Sequence, residues 1–165
     1  MKPDDPFVRS LAVLVLIVSA DAAFAAPQAT ANDTKAIAQC VDAARNSDGF
    51  GGNCIGVVAD PCIKAARERD SYVEDAKACA ARELAVWQAR LAQAVVIATK
   101  SGGTRMRTSV ATAQKSWAAS QDALCTLFNN LDPGAALGAD AYCRLQETSR
   151  RALLLERLGA AVSEH

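Results

Sequence analysis

The sequence predicts an all-α fold: a disulfide-stapled antiparallel helical bundle with three long helices and one or two short N-terminal helices. Three observations predict it. Ala, Leu, Arg, Glu and Gln dominate while β-branched runs are scarce, which is the composition of a helix former. Apolar residues recur at three- and four-residue steps over long stretches, the spacing that lines one face of a helix. Finally, six cysteines (Cys40, Cys54, Cys62, Cys79, Cys125 and Cys143) follow an apolar leader, an even set that reads as a disulfide framework.

Residues 1–25 read as a secretory signal peptide. Lys2 and Arg9 form a basic start diluted by Asp4 and Asp5, and Leu11 to Val18 is an apolar run too short to span a bilayer. Ala23-Phe24-Ala25 is a small-x-small cleavage pattern, so the expected cut follows Ala25. No cysteine stands at the new N-terminus, which argues against a lipid anchor. Residues 26–35 are expected to be a flexible segment and 36–160 a single helical domain. The protein is therefore expected in the periplasm or secreted, with no membrane association after cleavage.

Without Lys2, Arg9, Asp4, Asp5 and Asp21, the 18 basic and 18 acidic residues become 16 and 15, a net of +1. That balance offers no basic excess for nucleic acid as a partner.

Residues 33–45 read as a short helix, and Asn46-Ser47-Asp48-Gly49-Phe50-Gly51-Gly52-Asn53 as a Gly-rich loop. Cys54 to Asp60 reads as another helical turn or two. The first long helix starts near Val73 and carries Ala76, Ala80, Leu84, Trp87, Leu91, Val95 and Ala98 on one stripe. Ser71 with Glu74 predicts a capping box at its start, and Gly102-Gly103 its end. The second stripe is Met106, Val110, Ala113, Trp117, Leu124 and Leu127, stopped by the turn signal Asn129-Asn130-Leu131-Asp132-Pro133-Gly134. The third is Leu137, Ala141, Leu145, Thr148, Ala152, Leu155 and Leu158. Short connections make consecutive long helices antiparallel neighbours.

Six cysteines allow many pairings, and the order of elements favours the sequential set Cys40–Cys54, Cys62–Cys79 and Cys125–Cys143. Cys54 and Cys62 lie close enough along the chain to exchange partners. A bridge from Cys125 to Cys143 closes a loop of about 18 residues and contributes roughly 3 kcal/mol by chain entropy. No metal or other cofactor is expected: the tightest cysteine spacing, Cys54 to Cys62, is eight residues, and the sole histidine is His165. No nucleophile and base stand together in the sequence, and no carboxylate pair stands out by spacing. The chain therefore reads as non-enzymatic.

Gln114-x-x-Trp117-x-x-x-x-Asp122-x-x-Cys125 followed by Cys143-x-x-x-x-Thr148-x-x-Arg151 resembles the lysozyme inhibitor LprI-type N-terminal domain, a family of small exported bacterial helical proteins. Upstream, Cys54-Ile55-Gly56, Cys62, Cys79, Glu83, Trp87 and Leu91 look like its cysteine-rich subgroup, so the resemblance spans about residues 36–158. It departs from the family at three places: Gln121 stands where an arginine usually precedes the aspartate, Gln88 where an aspartate follows the tryptophan, and Ala92 where an asparagine is common.

The resemblance implies binding of a lysozyme and blockage of its cleft, or else a structural or adaptor role with another envelope protein. Lysozymes are typically cationic, and a nearly neutral chain steers them little. The loops at 46–53 and 129–138 are the expected contact surfaces. Glu83, Trp87, Gln114, Trp117, Asp122, Thr148 and Arg151 are core or binding candidates. The plain expectation is two indoles in the core, with Asp122 paired to Arg151 between helices. The sequence does not fix the oligomeric state.

Overall fold

The computed structural model describes residues 28–47, 50–69, 71–130 and 138–163. Among them α1 (Ala31–Asn46), α2 (Ala59–Ala66), α3 (Tyr72–Ser101), α4 (Gly103–Thr126) and α5 (Ala139–Ser163) follow one another, with 3-10 turns at Gly52–Cys54 and Leu127–Asn130. No strand occurs among the described residues. The protein is all-α, with three long helices and two shorter ones ahead of them. The leader at 1–25 and the turn residues 131–134 lie outside the described residues.

Helix α1 begins where its sequence supplies a cap. Thr30 N–H donates to Asp33 Oδ2 at 2.8 Å, and Asp33 N–H donates to Thr30 Oγ1 at 3.1 Å, a reciprocal capping box. The helix begins at Ala31, two residues ahead of the start expected at residue 33. At α3 the opposite correction applies. Ser71 makes no capping bond to the backbone, because its φ of −86° and ψ of 18° depart from the extended conformation of an N-cap. Its hydroxyl donates instead to Asp75 Oδ2 at 2.8 Å, and Arg69 Nε meets the same oxygen at 3.1 Å. The expected Ser71–Glu74 box is absent.

Three cystines join consecutive elements. Cys40–Cys54 ties α1 to the turn after it, Cys62–Cys79 ties α2 to α3, and Cys125–Cys143 ties α4 to α5. Between α3 and α4 the chain reverses over Gly102 and Gly103, and Gly103 takes φ +67°, a left-handed conformation open to glycine.

Topology follows from which residues meet. Gly138 lies against Lys77 and Gly159 against Ile97, so α3 and α5 run parallel. Cys125 meets Cys143 and Gln114 meets Arg151, so α4 runs antiparallel beside them. The α3–α5 contact is the most extensive among the described elements. Its core collects Ile37 and Val41 of α1, Trp87 and Leu91 of α3, and Leu145, Ala152 and Leu155 of α5.

Helix α4 contributes least to that core. Its buried side chains are Val110 and Cys125, while Ala113, Leu124 and Leu127 of the predicted stripe are exposed, the last by 59%. The facing surfaces of α3 and α5 fill each other, so α4 rests on the outside of an already packed pair.

Candidate functional site

Glu83 is fully buried one turn before Trp87 on α3. Its Oε1 accepts from Gly56 N–H at 2.8 Å and from Trp87 Nε1 at 2.9 Å. Its Oε2 accepts from Val58 N–H at 2.8 Å and Ala59 N–H at 2.7 Å. Helix α2 starts at Ala59 without a side-chain cap of its own, so a carboxylate from another helix satisfies the donors at its N-terminus. Four donors on one carboxylate make burial of the charge tolerable.

The chain between the 3-10 turn and α2 must bend sharply for this. Gly56 has φ +94°, and a Cβ there would collide with the Asp60 carboxylate. Asp60 Oδ1 in turn accepts from Tyr142 OH of α5 at 2.7 Å. Burial, and then the hydrogen bond to Asp60, push the Tyr142 phenol up to about 12. Tyr142, Asp60, Gly56, Glu83 and Trp87 thus form a continuous polar tie across α5, α2 and α3.

The remaining candidates lie elsewhere. Trp87 is core, with Arg90 stacked 5.5 Å from its ring centroid, whereas Trp117 is only half-buried. Arg151 sits 5.9 Å over the Trp117 ring, its Nε donates to Gln114 Oε1 at 2.5 Å, and burial lowers its pKa. The expected Asp122–Arg151 pair does not form. Antiparallel register places Asp122 level with Arg144, whose Nη2 it accepts at 2.8 Å on the surface. Thr148 is buried and accepts from Gln121 Nε2 at 2.8 Å.

Trp117, Gln114, Gln121 and Thr148 face Gln88, Leu91, Ala92 and Val95 across a groove of about 480 Å³ between the three long helices. Gln88, Ala92 and Gln121 are the three departures in the sequence; Gln88 and Ala92 lie one turn apart on α3, and Gln121 of α4 joins them here. Helical spacing pairs Gln88 with Ala92, but the meeting with Gln121 follows only from how α4 lies against α3.

A second surface lies on the Gly-rich loop. Phe50 is 69% exposed, and the Arg157 guanidinium of α5 stacks 4.2 Å from its ring centroid. Gly51, at φ +70°, lets the loop approach Leu153 closely. The sequence marks the loop but not the stacking, because Arg157 is over a hundred residues away in the chain.

The family model described as Lysozyme inhibitor LprI matches residues 62–155. The chain belongs to the lysozyme inhibitor LprI family. No match was found among curated proteins or among solved structures. The LprI match takes in α3 and α4 and most of α2 and α5, with the Cys62–Cys79 and Cys125–Cys143 bridges, and begins after Cys54. The segment ahead of it is physically part of the same core: Ile37 and Val41 are buried in it, and Gly56 N–H ends on Glu83 inside the LprI region.

Proposed function

We propose that this protein is a periplasmic or secreted, non-enzymatic inhibitor that binds a lysozyme and blocks its active cleft. Membership of the LprI family over residues 62–155 carries this reading. The three cystines support an oxidising compartment. A binding role also suits the chemistry, since the buried carboxylate of Glu83 is engaged by four donors and serves as a structural tie.

The contact surface is the loop around Phe50. An exposed aromatic ring backed by an arginine is the composition of an interface hot spot, and the Cys40–Cys54 bridge fixes the loop on a rigid scaffold. The test is a muramidase assay with the oxidised, processed protein and several lysozyme types. Inhibition that Phe50→Ala weakens at least about tenfold, at unchanged melting temperature, is expected. No inhibition by the wild-type chain at high excess removes the reading. Full inhibition by Phe50→Ala moves the contact elsewhere.

The second reading is an adaptor of the envelope with no lysozyme partner. It is favoured by one observation: the departures Gln88, Ala92 and Gln121 converge on the Trp117 groove. Under that reading Gln121→Arg changes partner capture and leaves muramidase activity unaffected.

A further inference from the structure

The near-neutral balance conceals a separation of charge. From Leu84 to Gln121 the chain carries Arg90, Lys100, Arg105, Arg107 and Lys115 and no acidic residue. This stretch, the end of α3 and most of α4, holds +5, while the rest of residues 26–165 has 11 basic against 15 acidic residues, a net of −4. Arg90 is compensated, since it shares Glu156 with Arg45 at 2.8 and 2.6 Å. Lys100, Arg105, Arg107 and Lys115 are exposed, and none of them meets a carboxylate among the described residues.

Solvated helices ordinarily intersperse acids and bases, and like charges left alone repel. Three of the four unpaired cations crowd the α3–α4 reversal at Gly102-Gly103. One turn before Lys100 on α3, Val96 and Ile97 are 47% and 43% exposed. Cations flanking exposed aliphatic side chains at the end of a hairpin match an anionic bilayer surface: charges meet headgroups while short apolar side chains enter the interface. A soluble polyanion has no use for the aliphatic pair.

We propose that the α3–α4 hairpin tip docks peripherally on an anionic lipid surface through Lys100, Arg105 and Arg107, with Lys115 about three turns along α4 adding to the attraction and Val96 inserted between headgroups. No described helix is long and apolar enough to cross a membrane, so the contact is one of surface adhesion. It revises the expectation that the processed chain leaves the membrane, and it is independent of the lysozyme reading. Each cation near such a surface strengthens binding about fivefold, so the three at the reversal act on the order of a hundredfold.

The experiment is flotation of the oxidised, processed protein with vesicles of phosphatidylcholine, alone or with about 30% phosphatidylglycerol. Binding only to the anionic vesicles, lost between about 0.05 M and about 0.5 M salt, is expected. The quadruple glutamine variant K100Q/R105Q/R107Q/K115Q should lose at least about a hundredfold at unchanged melting temperature, and Val96→Ser a further few-fold from wild type. No binding to anionic vesicles, or equal binding by the quadruple variant, overturns the proposal. Capture by soluble polyphosphate as strong as by vesicles, with Val96→Ser unaffected, also overturns it and assigns a polyanion in place of a bilayer.

Discussion

Glu83 accepts more hydrogen bonds than any other side chain among the described residues. Truncating it leaves Gly56, Val58 and Ala59 N–H and the Trp87 indole without an acceptor in the interior. Glu83→Ala is expected to cost on the order of 4 kcal/mol in denaturant unfolding of the oxidised protein, and a near-neutral result would remove the capping role. Gly56→Ala is expected to cost about 2 kcal/mol or more, since a left-handed φ and the Asp60 carboxylate both oppose a Cβ. Tyr142 makes a pH prediction. Its folded pKa of about 12 lies above the ordinary phenol value of 10.0, so between those values the folded state keeps a proton that the unfolded chain gives up. Stability from this group is intact below pH 10 and falls as pH rises toward 12. Thermal melts across that window should decline less steeply for Tyr142→Phe than for wild type.

At the scale of elements, α4 stands apart from the α3–α5 pair. The two tryptophans measure the difference, since Trp87 is enclosed and Trp117 lines an open groove. Trp87→Ala should cost roughly 3 to 5 kcal/mol and Trp117→Ala about 1 to 2 kcal/mol, both read from equilibrium unfolding. Equal losses would mean that α4 packs as tightly as α3. The Cys125–Cys143 bridge compensates for the weak packing by holding the end of α4 to the start of α5. Replacing both cysteines by alanine is expected to cost about 3 kcal/mol and to make α4 amides exchange ahead of those in α3 and α5.

For the whole molecule, three bridges join neighbours in sequence, while a polar tie, buried at Glu83 and exposed at Asp60, runs from α3 through the start of α2 to α5, which is no neighbour of α2 in sequence. The crosslinks act on the unfolded chain, and the tie acts on the native packing. Reduction of all three should therefore lower the melting temperature by roughly ten degrees or more while the residual helical signal persists. An unchanged melting point after verified reduction would contradict that division of labour. Charge separation also belongs to this scale: a chain balanced overall presents a basic hairpin at the α3–α4 end.

Period and punctuation in the sequence determined that this chain is helical, where its long helices reverse and that its cysteines lie in an order suited to stapling neighbours. These are local properties, written in three- and four-residue spacing and in glycine pairs. Tertiary structure alone decided that Trp87 is core and Trp117 is not, that Asp122 meets Arg144 instead of Arg151, and that Gln88, Ala92 and Gln121 share a groove. An apolar stripe shows which face of a helix is greasy, not which neighbour claims it first. Because α3 and α5 fill each other, α4 is left with an exposed stripe, and partners between helices follow from their relative register.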